Sequence, residues 1–177
     1  MRRLILLRHA KTERDAPSGR DQDRRLDERG HRDGADIGRW LAAENYRPDL
    51  ALVSTATRAQ ETWELLRPAM PSVRARHLPE LYSADPSALL RIIHDAAKAD
   101  PKCLMIIAHN PGLHELALAL IAGGDAGGRR ALDANLPTSG VVIIDFKIDD
   151  WDDIGFRGGQ LERFASPKLL REQSDEV

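Results

Sequence analysis

"LILLRHAKT", residues 4–12, drives an apolar run straight into an arginine, a histidine and then a lysine. Leu4 to Leu7 read as a short strand with no polar alternation, the pattern of a strand covered by helices on both faces. The switch at Arg8 and His9 therefore falls where the strand leaves the core. In α/β proteins the carboxyl end of a parallel strand is where ligands and chemistry gather.

Further apolar runs recur at residues 50–53, 103–108 and 140–146, with helical stretches between them. That alternation predicts an α/β fold, a three-layer sandwich whose mostly parallel central sheet is flanked by helices. Ala35, Ile37, Trp40 and Leu41 fall at helical spacing in an amphipathic helix from about Leu26 to Tyr46, which Pro48 should end. A second helix is predicted over Thr57 to Leu66, with Thr57 and Gln60 placed for a capping box and Pro68 as its stop. Pro86 opens a third and another follows Pro111. "DAPSGRDQD" and "AGGDAGGRR" read as loops, the latter a flexible connection, and the tail after Phe146 as an antiparallel hairpin at the sheet edge.

With 177 residues, 42% hydrophobic and 31% charged, the chain fits one domain spanning 1–177. Lys and Arg number 26 against 28 Asp and Glu, so no global basic field draws it to nucleic acid or a membrane surface. An anion site, if present, must be local. The single cysteine, Cys103, lies within "CLMIIA", which excludes an intramolecular disulfide framework and fits a reducing cytoplasm. "MRRLILL" has only four apolar residues before Arg8, too few for a signal peptide's apolar core or a membrane span. These features predict a cytoplasmic protein.

Three predicted strand ends carry cationic or imidazole groups: Arg8 and His9 after the first, Arg58 beyond "LVSTAT", and His109 after "CLMIIA". In a parallel sheet they share one edge with helix N-termini, whose amides favour an anion. Phosphate is the guest such a set suits, because guanidinium forks match its oxygens two at a time.

Taken in order, "LLRHAKT", "STATRAQET", "LPELY", "IIAHNPGL" and "LPTSGVVIIDF" resemble the histidine phosphatase superfamily, with its phosphoglycerate mutase-like fold, and within it the SixA-type phosphohistidine phosphatase branch. The resemblance runs from about residue 3 to 146, and "PKLL" near the end shares it. It implies that His9 is the phosphorylated nucleophile and that Arg8, Arg58 and His109 hold the phosphoryl oxygens. It also implies a phosphatase that needs neither metal nor cofactor. Its substrate would be a phosphohistidine on a protein, such as a histidine-phosphotransfer protein, or a small phosphorylated molecule.

The chemistry of these groups agrees. A neutral imidazole can attack phosphorus and split one hard hydrolysis into two easier steps, while two arginines and a second imidazole stabilise the charge that metal ions stabilise elsewhere. Glu80 in "LPELY" is the candidate general acid, with an exposed loop carboxylate as the alternative. A phosphohistidine would make less demand on such an acid, since imidazole leaves more readily than an alkoxide. His109 and His114 are five apart, off the spacing of a helical zinc motif, so no metal site is predicted. Arg24 stands at a pocket rim or in a solvated loop, and Arg25 replaces the proline usual in the branch. A small-molecule phosphomonoesterase and a phosphate-binding module without turnover are the competing readings.

Overall fold

The computed structural model describes residues 1–175. Its strands are β1 (Arg2–Arg8), β2 (Leu50–Ser54), β3 (Arg74–Leu78), β4 (Cys103–Ala108), β5 (Ile121–Gly124), β6 (Val141–Phe146) and β7 (Gly159–Ala165). Its helices are α1 (Glu28–Ala43), α2 (Thr57–Leu66), α3 (Pro86–Ala96), α4 (Gly112–Leu120), α5 (Ala126–Ala134) and α6 (Pro167–Asp175). The strands form one sheet in the order β3-β2-β4-β1-β6-β7-β5. β1 pairs in parallel with β4, as β2 does with β4 and β3, whereas β6 runs antiparallel to both β1 and β7. Since β5 is parallel to β7, β6 alone is reversed. No helix among the described residues is long and apolar enough to cross a membrane.

The period of two along a strand divides the core. Leu4 and Leu6 point to one face with Leu52, Leu104, Ile106, Val142 and Ile144, where α3 and α4 bring Leu89, Ile93, Leu113 and Leu116. Ile5 and Leu7 point to the other with Val53, Met105, Ile107 and Ile143, beneath Ile37 and Leu41 of α1 and Trp63 and Leu66 of α2. Leu4 through Leu7 have no exposed surface, which is why their run is unbroken by polar residues. Helices on both faces complete the three layers predicted from the sequence.

Several local expectations are corrected. "AGGDAGGRR" is not a flexible connection: Ile121–Gly124 is an edge strand, and the Asp125 side chain accepts from the Gly128 amide to cap α5. The tail forms no hairpin of its own; β7 pairs with β6 on one side and β5 on the other, one place in from the edge. Thr57 is already helical, and Gln60 donates to the Ser54 carbonyl (2.8 Å), so α2 has no capping box. Helix α1 stops at Ala43, ahead of Pro48, because Asn45 takes the left-handed conformation (φ 62°).

Two glycines set close approaches around the sheet's carboxyl edge. A Cβ on Gly30 would stand 2.0 Å from the Lys11 carbonyl oxygen, and one on Gly112 would stand 2.0 Å from that of Ala84. The first turns of α1 and α4 are thereby brought against the chain that follows β1 and β3.

Candidate active site

Backbone hydrogen bonds on both sides fix the turn that carries Arg8 and His9. The His9 amide donates to the Ala108 carbonyl of β4 (3.2 Å), and the Arg8 amide donates to Gly140 beside β6 (3.1 Å). The Ala10 amide donates to the hydroxyl of buried Thr62 (3.0 Å), which itself donates to the Arg58 carbonyl (2.7 Å). The His9 segment and the first turn of α2 are therefore tied through one α2 side chain.

His9 is 6% exposed, and its Nδ1 lies 2.8 Å from the Ala10 carbonyl. A carbonyl only accepts, so Nδ1 carries the hydrogen and Nε2 is the bare nitrogen of the neutral ring. Burial pushes the His9 pKa down to about 3, aided by His109, Arg58 and Arg8 and opposed by the Ala10 hydrogen bond. His9 is thus neutral and aimed at neutral pH. The His109 ring lies 5.3 Å from it, centroid to centroid, and burial with the nearby Arg58 lowers its pKa to about 4. His109 Nε2 sits 2.7 Å from the Ser54 hydroxyl at the end of β2.

The two arginines are held from outside. Arg8 Nη1 donates to the Leu136 carbonyl (3.1 Å). Arg58, 5% exposed, donates from Nη1 to the Asp21 carbonyl (2.7 Å) and from Nη2 to the Asp21 carboxylate (2.9 Å). Burial and the neighbouring Arg58 charge lower the Arg8 pKa, the strain expected of two guanidiniums that an anion would relieve. Arg8 Nε, Arg58 Nε and His109 Nδ1 are buried without a protein hydrogen-bond partner.

A cavity of about 350 Å³ opens beside this set, walled by Arg58 and His109 together with Asp21, Tyr82, Asn110 and Glu115. Arg8 and His9 do not line it themselves. The Tyr82 ring meets His109 edge-on at 5.5 Å and lies 5.7 Å from the Arg58 guanidinium carbon, and its hydroxyl donates to Asp21. That hydrogen bond first, then those from Arg58 and Arg24, holds the Asp21 carboxyl down to about 2.

Arg8, His9, Arg58 and His109, predicted separately from three strand ends, thus meet at one edge. Glu80 does not join them. It is exposed in the short turn Pro79–Leu81 and lines a separate cavity with Arg76, Ile92 and Asp95. The turn directs Leu81 into the core and Tyr82 to the site, leaving Glu80 on another side. Arg24 is no loose solvated residue: it donates to Asp21 (3.0 Å), Thr12 (2.8 Å) and the Glu13 carbonyl (3.1 Å). Asp21, Ser54 and Tyr82 are site residues that the sequence reading missed. The signal for two of them was present, since Ser54 ends an apolar run and Tyr82 closes "LPELY". Among the described residues no group of three or more His, Cys, Asp or Glu could hold a metal ion.

The sequence matches the model of the histidine phosphatase superfamily (branch 1) over residues 4–86. A solved structure from Agrobacterium tumefaciens, described as "putative phosphohistidine phosphatase SixA", is 32% identical and covers 94% of this chain and 98% of its own, with a TM-score of 0.79. An uncharacterized protein of Mycobacterium tuberculosis is 34% identical over 141 residues, 78% of this chain and 85% of that protein. A chloroplastic protein of Arabidopsis thaliana is 48% identical over 61 residues, and the match spans only 28% of its length. An arginine-histidine pair at the end of the first strand, met by a second arginine and a second histidine, is thus carried by a chain that belongs to the histidine phosphatase superfamily and is one of its phosphatases.

Proposed function

We propose that the protein hydrolyses phosphohistidine, presented on a partner protein, through a covalent phosphoenzyme on His9. The observation that carries the covalent step is the His9 ring itself: Nδ1–H is committed to the Ala10 carbonyl, and burial keeps Nε2 free of a proton. Nε2 attacks phosphorus in line, forming a new P–N bond as the bond to the leaving imidazole breaks. Arg8, Arg58 and His109 hold the three peripheral oxygens, whose charge is dispersed in the transition state. Water then attacks the phosphoryl group, releasing phosphate and restoring His9. With its other ring nitrogen protonated, the leaving imidazole departs as a neutral molecule, a route that an alkoxide lacks, so the step needs no protein acid.

Two features favour phosphohistidine over an ester. Asp21 at the cavity wall is held ionised, Tyr82 has its hydroxyl on Asp21, Asp85 caps α3 with its carboxylate and Glu80 lies elsewhere, so none of these stands ready as an acid; Glu115 is the remaining cavity carboxyl, and Glu115→Gln on the ester panel tests it. The Agrobacterium tumefaciens chain described as a "putative phosphohistidine phosphatase SixA" is related along nearly its whole length. The deciding experiment follows hydrolysis of a phosphohistidine-bearing protein beside a panel of small phosphoesters, in chelator, with the native chain and His9→Ala. Rapid His9-dependent loss of phosphohistidine with slow ester turnover is the expected result. Preference for esters would make the protein a small-molecule phosphatase.

A further inference from the structure

Arg58 is held in a manner the proposed chemistry does not by itself require. Both of its terminal nitrogens donate to a single residue, Nη1 to the main-chain oxygen of Asp21 and Nη2 to its carboxylate. Two bonds from one rigid fork to one residue fix the plane of the guanidinium as well as its position. Of its five N–H groups three remain, Nε among them, for another ligand.

Asp21 is itself located by several groups. Arg24 grips its other carboxylate oxygen (3.0 Å) and reaches on to Thr12 (2.8 Å), three residues past His9. Thr12 in turn bridges Leu26 across the base of the β1–α1 loop, where the Glu13 amide also donates to the Arg25 carbonyl (2.8 Å). The chain leaving the nucleophile is therefore connected to the guanidinium by a closed path: Thr12, Arg24, Asp21, Arg58. The same carboxylate accepts from Tyr82, whose ring packs against both Arg58 and His109.

We propose that Asp21 is a positioning residue for phosphoryl transfer, setting the Arg58 guanidinium directly and the Tyr82 ring beside His109 through its hydroxyl. This rests on the assignment of Arg58 to the phosphoryl oxygens. Two other roles make opposite predictions. As an ordinary surface ion pair, with the Asp21 side chain 53% exposed, it would contribute little to stability and nothing to rate. As an internal stand-in for the substrate anion, it would compete for Arg58, and its removal would tighten oxyanion binding.

Asp21→Ala and Asp21→Asn in the full chain separate these roles. The readouts are kcat and KM on a phosphohistidine-bearing protein and on an aryl phosphate ester, the affinity for tungstate, and Tm. Asp21→Ala should lower kcat/KM by about 10- to 100-fold on whichever substrate the native chain turns over, mainly through kcat, and weaken tungstate binding. Asp21→Asn, which keeps both the main-chain acceptor and a side-chain oxygen, should recover part of that loss. Tm should stay within about 4 °C of native in both. Unchanged kinetics, tighter tungstate binding, or a loss of activity that only follows a large fall in Tm would each overturn the proposal. The native chain's preference between the two substrates tests the phosphohistidine reading separately, because the Asp21 effect is a ratio of variant to native on one substrate.

Discussion

Lowering the pH from 7.5 to 5 should destabilise the fold through two particular side chains. His9 and His109 have pKa values pushed down to about 3 and about 4 in the folded chain, chiefly by burial, against about 6.5 in an unfolded one. Below pH 6.5 the unfolded chain takes up protons that the folded site refuses, so stability is greatest above that value and declines as pH falls toward the folded pKa values. Linkage gives a loss of about 2 kcal/mol for each ring between pH 7.5 and pH 5, about 4 kcal/mol together. Urea unfolding followed by the fluorescence of buried Trp63 and Trp151 measures it, with His9→Asn and His109→Asn each expected to flatten the pH dependence by about 2 kcal/mol. The other histidines are common to all three proteins and cancel in the difference. The catalytic corollary is that His9 contributes no acid limb to kcat/KM near pH 6.5, because the nucleophile is unprotonated well below that; a limb at about pH 6 follows the substrate's own phosphoryl ionisation and shifts when the substrate is changed. Parallel slopes in native and variant proteins, or an acid limb at pH 6.5 that stays in place across substrates, would refute the reasoning.

Ser54→Ala removes the hydroxyl 2.7 Å from His109 Nε2, and should cost about 1–3 kcal/mol in urea unfolding and lower kcat/KM by about 10-fold as the ring loses its orientation. Gly112→Ala sets a methyl against the Ala84 carbonyl at the cavity wall; about 1–3 kcal/mol of overpacking should lower Tm by about 2–12 °C in a thermal melt. Glu80→Gln should leave kcat/KM on a phosphohistidine protein within about twofold, since a solvent-facing carboxylate away from the cavity has no part in the step. A 10-fold fall there would return Glu80 to the mechanism.

What the sequence disclosed followed burial. β1, β2, β4 and β6 are covered on both faces, so each is written as an apolar run that marks its own limits. β3 is an edge strand, "RARHL", whose charges suit an open edge and hide it from a hydrophobic pattern. α5 was obscured by Gly127 and Gly128, whose low helix propensity is offset by the Asp125 cap and an Arg129–Asp133 ion pair one turn apart. Arg8, His9, Arg58 and His109 were legible because strand direction alone brings such positions to one edge. Asp21 was not: it lies far from Arg58 and Tyr82 along the chain, and only the path of the β1–α1 loop brings it to them. Glu80 and Tyr82 are two residues apart, and the twist of one short turn decides which of them faces the cavity.

The covalent role of His9 is tested most directly by stopping the reaction with a phosphohistidine-bearing protein in alkali and locating the phosphoryl group on the enzyme by mass spectrometry. The bare nitrogen predicts an acid-labile, alkali-stable phosphoryl group on Nε2 of His9, formed and lost at rates compatible with turnover and absent from His9→Ala. Turnover with no phosphoryl group on His9, or undiminished hydrolysis by His9→Ala, would contradict it.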